Sequence, residues 1–123
     1  TTGGNPVTDT TEEFDGTNWA SGGALSTARN QVAGHGGIQT DAIMAGGANS
    51  SNDALSASEL YNGTSWSSGA AITRARINTN FCGMSAASSG GLCFGGATGN
   101  HATTYTDTDE YTASVTARSV TAS

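Results

Sequence analysis

Apolar and polar positions along the chain alternate over short runs and never settle into helical spacing. No segment carries apolar residues at i, i+3, i+4 and i+7 over three turns, and 18 glycines interrupt nearly every stretch of ten residues. The pattern predicts an all-β chain of short strands joined by tight turns. Phe14 and Tyr61 each precede Asp-Gly or Asn-Gly, a strong hairpin signal because both residues of such a turn need positive φ. If Asp15-Gly16 is a two-residue loop, Phe14 pairs with Thr17 and Glu12 with Trp19, which puts Phe14 and Trp19 on one face. Further strands are expected at about 28–36 and 42–46, and again at about 75–84 and 91–95.

The chain repeats itself. Glu12-Glu13-Phe14-Asp15-Gly16-Thr17-Asn18-Trp19 matches Glu59-Leu60-Tyr61-Asn62-Gly63-Thr64-Ser65-Trp66 at an offset of 47. The match continues through Leu25 and Ile72 to Ala28-Arg29 and Ala75-Arg76. Ile43-Met44-Ala45-Gly46-Gly47 then matches Leu92-Cys93-Phe94-Gly95-Gly96 at an offset of 49. A third copy opens at Thr108-Asp109-Glu110-Tyr111, with Thr116-Ala117-Arg118 echoing Thr27-Ala28-Arg29. Gly3-Gly4-Asn5 reads as the tail of an earlier copy. Internal repetition at this period signals an array of supersecondary units.

Composition narrows the partners. Ten acids against four arginines and no lysine give a net charge of −6, too few and too scattered bases to displace counterions from a phosphate backbone. Nucleic acid is therefore not an expected partner. No apolar run approaches the roughly 20 residues that span a bilayer, so no membrane insertion is expected. Two cysteines are too few for a disulfide scaffold.

The short apolar strand ending in a Gly pair, followed by Glu-x-aromatic and then Trp, resembles the Kelch repeat, one four-stranded antiparallel blade of a β-propeller. The Asn62-Gly63-Thr64-Ser65-Trp66 form is similar to repeats in predicted proteins of marine bacteriophages. The aromatic-to-Trp spacing is shorter than usual for Kelch. The resemblance implies a partial blade at 1–24, a full blade at 25–71, and a full blade with a degenerate C-terminal segment at 72–123. At 48 residues per copy, 123 residues hold about 2.6 blades, whereas closed propellers have roughly 4–8. The expectation is an incomplete propeller, completed by other copies or by repeats outside the sequence, and hence a homo-oligomer or an excerpt.

Phe14, Trp19, Tyr61, Trp66 and Tyr111, with Arg29, Arg76, Glu12 and Glu59, recur in successive copies and are expected to be structural, the arginines in ion pairs between strands, bidentate where geometry allows. Cys82 and Cys93 share a midpoint with the turn 85–90 and are expected directly opposite each other. Opposed positions are within disulfide reach, but so short a loop gains little from a crosslink, and two reduced, packed thiols are favoured. No metal site and no cofactor are expected. Alternating Thr106-Asp107-Thr108-Asp109 could offer oxygens to Ca²⁺, yet reads better as a solvated strand face.

Gly91-Leu92-Cys93-Phe94-Gly95 has the outline of a nucleophile elbow, but no helix follows and the first copy has Met44 at that position, so the chain is not expected to be an enzyme. Loops that differ between copies are better candidates for recognition. Asn49, Ser50, Ser51, Asn52 and Asp53, with Asn100, His101, Thr104 and Tyr105, are expected to form a polar rim suited to hydrogen bonding and stacking on a host-surface glycan. The resemblance implies a non-catalytic protein on the extracellular surface of a virion: tail fibre, spike or capsid decoration, with other virion proteins as partners. The alternative is a propeller module gripping a peptide partner. A sialidase-like or galactose-oxidase-like fragment is a further option, and it would need inward-pointing Arg29 and Arg76 or converging Tyr, Cys and His.

Overall fold

The computed structural model describes residues 6–83, 90–112 and 118–120. Among them no helix occurs, and every strand pairing is antiparallel. A hairpin pairs β1 (Glu12–Phe14) with β2 (Trp19–Ser21). The first four-stranded sheet is a meander of β3 (Ala33–Ile38), β4 (Asp41–Ala45), β5 (Ser58–Tyr61) and β6 (Trp66–Ser68). The second repeats that order with β7 (Asn80–Gly83), β8 (Gly90–Phe94), β9 (Thr108–Thr112) and β10 (Arg118–Val120). Arg118 stands opposite Glu110 in β10, the outermost strand. It thus completes the second sheet and does not open a new copy as Arg29 does. Gly3-Gly4-Asn5 lies outside the described residues.

The hairpin turns correct the expected register. Phe14 pairs with Trp19 and Glu12 with Ser21, so the loop is the four residues 15–18. Only Gly16 has positive φ there. The Asp15 carboxylate accepts the backbone N–H groups of Thr17 and Asn18, both at 2.8 Å, and its own N–H closes the turn on the Asn18 carbonyl. A side chain that caps its own turn removes the need for two left-handed residues. Tyr61, Asn62 and Trp66 repeat the arrangement, with Asn62 Oδ1 accepting from Thr64 and Ser65 at 2.9 Å. The shared face holds: the Phe14 and Trp19 rings lie 5.1 Å apart, those of Tyr61 and Trp66 5.0 Å.

Each Gly pair ends a strand where the backbone crowds a neighbour. Gly47 has φ of +90°, and a Cβ there would lie 2.5 Å from the Asn30 carbonyl. Gly96, at +92°, would meet the Ile77 carbonyl at 2.7 Å. Only glycine tolerates both the conformation and the approach. The sharp turn frees the carbonyls of Gly46 and Gly95, which become acceptors for buried arginines.

Successive strand residues face opposite sides, so each sheet has two distinct faces. The forward face of the first sheet carries Ile43, Ala45 and Leu60; the rear face of the second carries Cys93, Asp109 and Tyr111. They meet, with Ile43 against Tyr111, and Ala45 against Ile72 and Cys93. Ala48, Ile77 and Ala97 continue the core beside them. The hairpin uses its forward face in the same way, Thr11 and Glu13 contacting the rear-face residues Trp66 and Tyr61.

Cys82 and Cys93 are not opposed. Phe81 pairs with Cys93 and Cys82 with Leu92, a slip of one residue from the expected register. The equivalent strands of the first sheet slip likewise, Gly34 pairing with Met44 and His35 with Ile43. With a side-chain period of two, register follows the buried face and not the midpoint of the turn. Cys93 is a buried free thiol. Burial pushes its pKa up, more than the Thr79 hydroxyl beside it pulls it down.

Candidate functional site

The recurrent arginines are fully committed inside the fold. Arg29 Nη2 donates to Glu59 Oε1 at 2.8 Å, and Nη1 donates to the carbonyls of Gly46 and Ala57, each at 3.0 Å. Glu59 Oε2 then accepts the backbone N–H of Ser26 at 2.8 Å. Arg76 repeats every part: Nη1 to the Gly95 and Asp107 carbonyls, Nη2 to Asp109 at 3.3 Å, and Asp109 accepting from the Thr73 N–H and hydroxyl. Arg76 gains Asp107 as well, at 2.9 Å. The expected ion pairs form, but neither clamp is the two-oxygen fork on one carboxylate that the sequence reading allowed where geometry permits. One nitrogen takes the acid and the other stitches two backbone carbonyls across adjacent strands. Glu12 is exposed, and among the described residues no arginine reaches it.

Asp107 and Asp109 are not a solvated strand face. Asp109 is 1% exposed, and both carboxylates are spent on Arg76. Among the described residues no three His, Cys, Asp or Glu side chains cluster as a metal site requires. Partial burial pushes the Asp107 carboxyl up, but its own backbone N–H and the Arg76 and Arg74 guanidiniums outweigh it and hold it below the ordinary range. A carboxyl lowered by folding stabilises the fold above its unfolded value, and that contribution drains away as pH falls through the folded value. Asp107→Asn is therefore expected to cost stability at neutral pH. The gap from wild type should close as pH falls below about 3.9, as read by urea unfolding across an acid series.

The variable loops rise from the Gly pairs and are held by their own side chains. Asn49 Oδ1 accepts the N–H groups of Ser51 and Asp53, both at 2.9 Å, while Asn52 turns the chain at φ of 66°. In the second loop Asn100 Oδ1 accepts from the Thr98 hydroxyl and the Ala102 N–H, and His101 makes the equivalent turn at 59°. Asn52 Nδ2 donates to the Gly99 carbonyl at 2.6 Å and ties the two loops together. Between them lies a shallow polar depression of about 370 Å³, lined by Asn52, Asp53, Thr98, Gly99 and Asn100. Ser50, Ser51, His101 and Thr104 are exposed and are not among its lining residues. Tyr105 does not join the rim as a free aromatic. It is half-buried, with the Arg74 guanidinium 4.8 Å and that of Arg76 5.5 Å from its ring centre.

Sequence reasoning missed a second concavity. An open groove of about 470 Å³ is shared by the hairpin and the first sheet, lined by Glu12, Glu13, Phe14, Trp19, Tyr61 and Trp66 among others. Glu13 bridges it, accepting from the Tyr61 hydroxyl and from Gln39 Nε2. The hydrogen bond to Glu13 raises the Tyr61 phenol. Its signal in the sequence was the pair of aromatic-to-Trp matches, which repetition marks as scaffold. Comparison with known proteins adds nothing: no family model matches the chain, and no curated protein matches it. No helix among the described residues is long and apolar enough to cross a membrane.

Proposed function

We propose that this chain is a non-catalytic, Kelch-like array of stacked blades from the outer surface of a bacteriophage virion, a tail fibre, spike or capsid decoration, whose loops hold a host-surface glycan. The observation that carries the adhesive part is the joining of the two variable loops through Asn52 and Gly99 into one polar depression. Amide, carboxylate and hydroxyl groups at fixed spacing suit the hydroxyls of a sugar. The sialidase-like option is disfavoured because Arg29 and Arg76 are already engaged with Glu59, Asp107 and Asp109. The virion setting rests on the sequence resemblance alone.

A glycan array probed with the purified chain tests the reading. Binding is expected to a restricted set of glycans. It should fall at least tenfold when 49–53 and 100–104 are exchanged for Gly-Ser linkers, and persist in the Ser67→Ala control on the far strand. Retention of binding after the loop exchange would refute the loops as the site. Capture of peptides and not of glycans would move the function to the peptide-gripping module.

A further inference from the structure

We infer that the forward face of the second sheet docks onto the outward face of the hairpin of a second copy of this chain, head to tail, with Leu92 and Phe94 against Phe14 and Trp19. The inference rests on the reading of the repeats as stacked blades.

Within one chain the same junction is made twice. The hairpin's forward face covers the rear face of the first sheet, through Thr11 and Glu13 on Trp66 and Tyr61. The forward face of the first sheet then covers the rear face of the second, through Ile43 on Tyr111 and Ala45 on Cys93. Forward always meets rear. Among the described residues, one face of each kind is left over.

The unused forward face is that of the second sheet. Leu92 and Phe94 occupy there the positions that Ile43 and Ala45 occupy in the first sheet. Ile43 and Ala45 are 1% and 0% exposed, whereas Leu92 and Phe94 are 39% and 38% exposed. The unused rear face is that of the hairpin. Phe14 is the counterpart of Tyr61 and Tyr111, and Trp19 of Trp66; Phe14 and Trp19 are 47% and 66% exposed, against 4% and 7% for the two tyrosines. The two leftover faces are thus the counterparts of a pair that is already packed inside the molecule. Leu92 of one copy would take toward Phe14 of the next the place that Ile43 takes toward Tyr111. Large apolar side chains exposed at matched positions are what such a contact removes from water. A contact between unlike faces leaves the joined pair with one of each still open, so it propagates until the rotation closes a ring, or continues as a fibre.

Light scattering gives the first test. The wild-type chain is expected to show a mass that is a multiple of 12.2 kDa, and Leu92→Glu or Phe14→Glu should each return the single-chain mass with the β-sheet circular dichroism unchanged. Disulfide trapping gives the polarity. In a Cys82→Ser, Cys93→Ala background, Leu92→Cys protein mixed with Phe14→Cys protein should crosslink, and neither should crosslink alone. A wild-type chain that stays a monomer at its highest soluble concentration would overturn the docking. So would preferential crosslinking of Leu92→Cys to itself, which marks a two-fold contact. A monomer that still binds glycan sinks the docking and leaves the adhesive reading intact; an assembly with the stated crosslink but no glycan binding keeps the docking and sinks that reading.

Discussion

Arg76→Met is expected to unfold the chain, or to lower its stability by about 3–5 kcal/mol, the cost of stripping the partner from a buried charge. Arg76 is fully buried, and its loss strands the carboxylate of Asp109, itself 1% exposed, together with the carbonyls of Gly95 and Asp107. Such a loss approaches the whole stability of many small domains. Arg76→Lys should rescue little, because a single ammonium cannot reach two carboxylates and two carbonyls from one planar fork. Arg74→Met is the matched control. The Arg74 side chain is 54% exposed and its ion pair to Asp107 spans 3.4 Å, so a change below about 1 kcal/mol is expected. Chemical denaturation of the three variants checks the order, and equal losses for Arg74→Met and Arg76→Met would contradict the clamp.

Ile43→Ala should cost about 2–5 kcal/mol, the range for a buried aliphatic truncated where the surroundings relax only in part. Ile43 sits between the two sheets against Tyr111, with Leu60 and Ala70 beside it. Leu92→Ala, at the same position of the next repeat, should cost less in the isolated chain, since Leu92 is already 39% exposed there. The comparison isolates burial from sequence position, because both side chains stand on the same face of the same strand of their sheets. Melting or urea midpoints at low protein concentration provide the readout. If both variants fell equally, the second sheet's forward face would already be covered.

Much of this architecture is legible in the chain. The recurrence of one Ala-Arg and one acidic residue in each copy marks an ion pair before any coordinates exist, and Arg29–Glu59 and Arg76–Asp109 are those pairs. The two aromatic-to-Trp matches likewise foretell ring contacts on one face. Register is harder to read. Asp15-Gly16 suits a two-residue loop as well as a four-residue one, and what decides is the Asp15 carboxylate accepting two backbone N–H groups, a contact that leaves no trace in residue spacing. The one-residue slip that separates Cys82 from Cys93 has the same origin, since a turn's midpoint does not say which face the neighbouring sheet will cover. Asp107 and Asp109, flanked by threonines, look solvated in isolation. Their pairing follows from Arg76, some thirty positions earlier in the chain.

Each clamp is self-contained. Arg29 binds Thr27, Gly46, Ala57 and Glu59, and Arg76 binds Arg74, Gly95, Asp107 and Asp109, so neither network borrows an atom from the other's repeat. Recombination that gains or drops a whole unit therefore strands no ionised group in the interior, and the apolar surfaces it joins are of matching kind. A gene encoding such units can lengthen or shorten its product in steps of about one unit, with stability set by the units and by the junctions between neighbours. Polar loop sequences can meanwhile drift independently from unit to unit, which gives selection a way to alter what is gripped without redesigning what supports it.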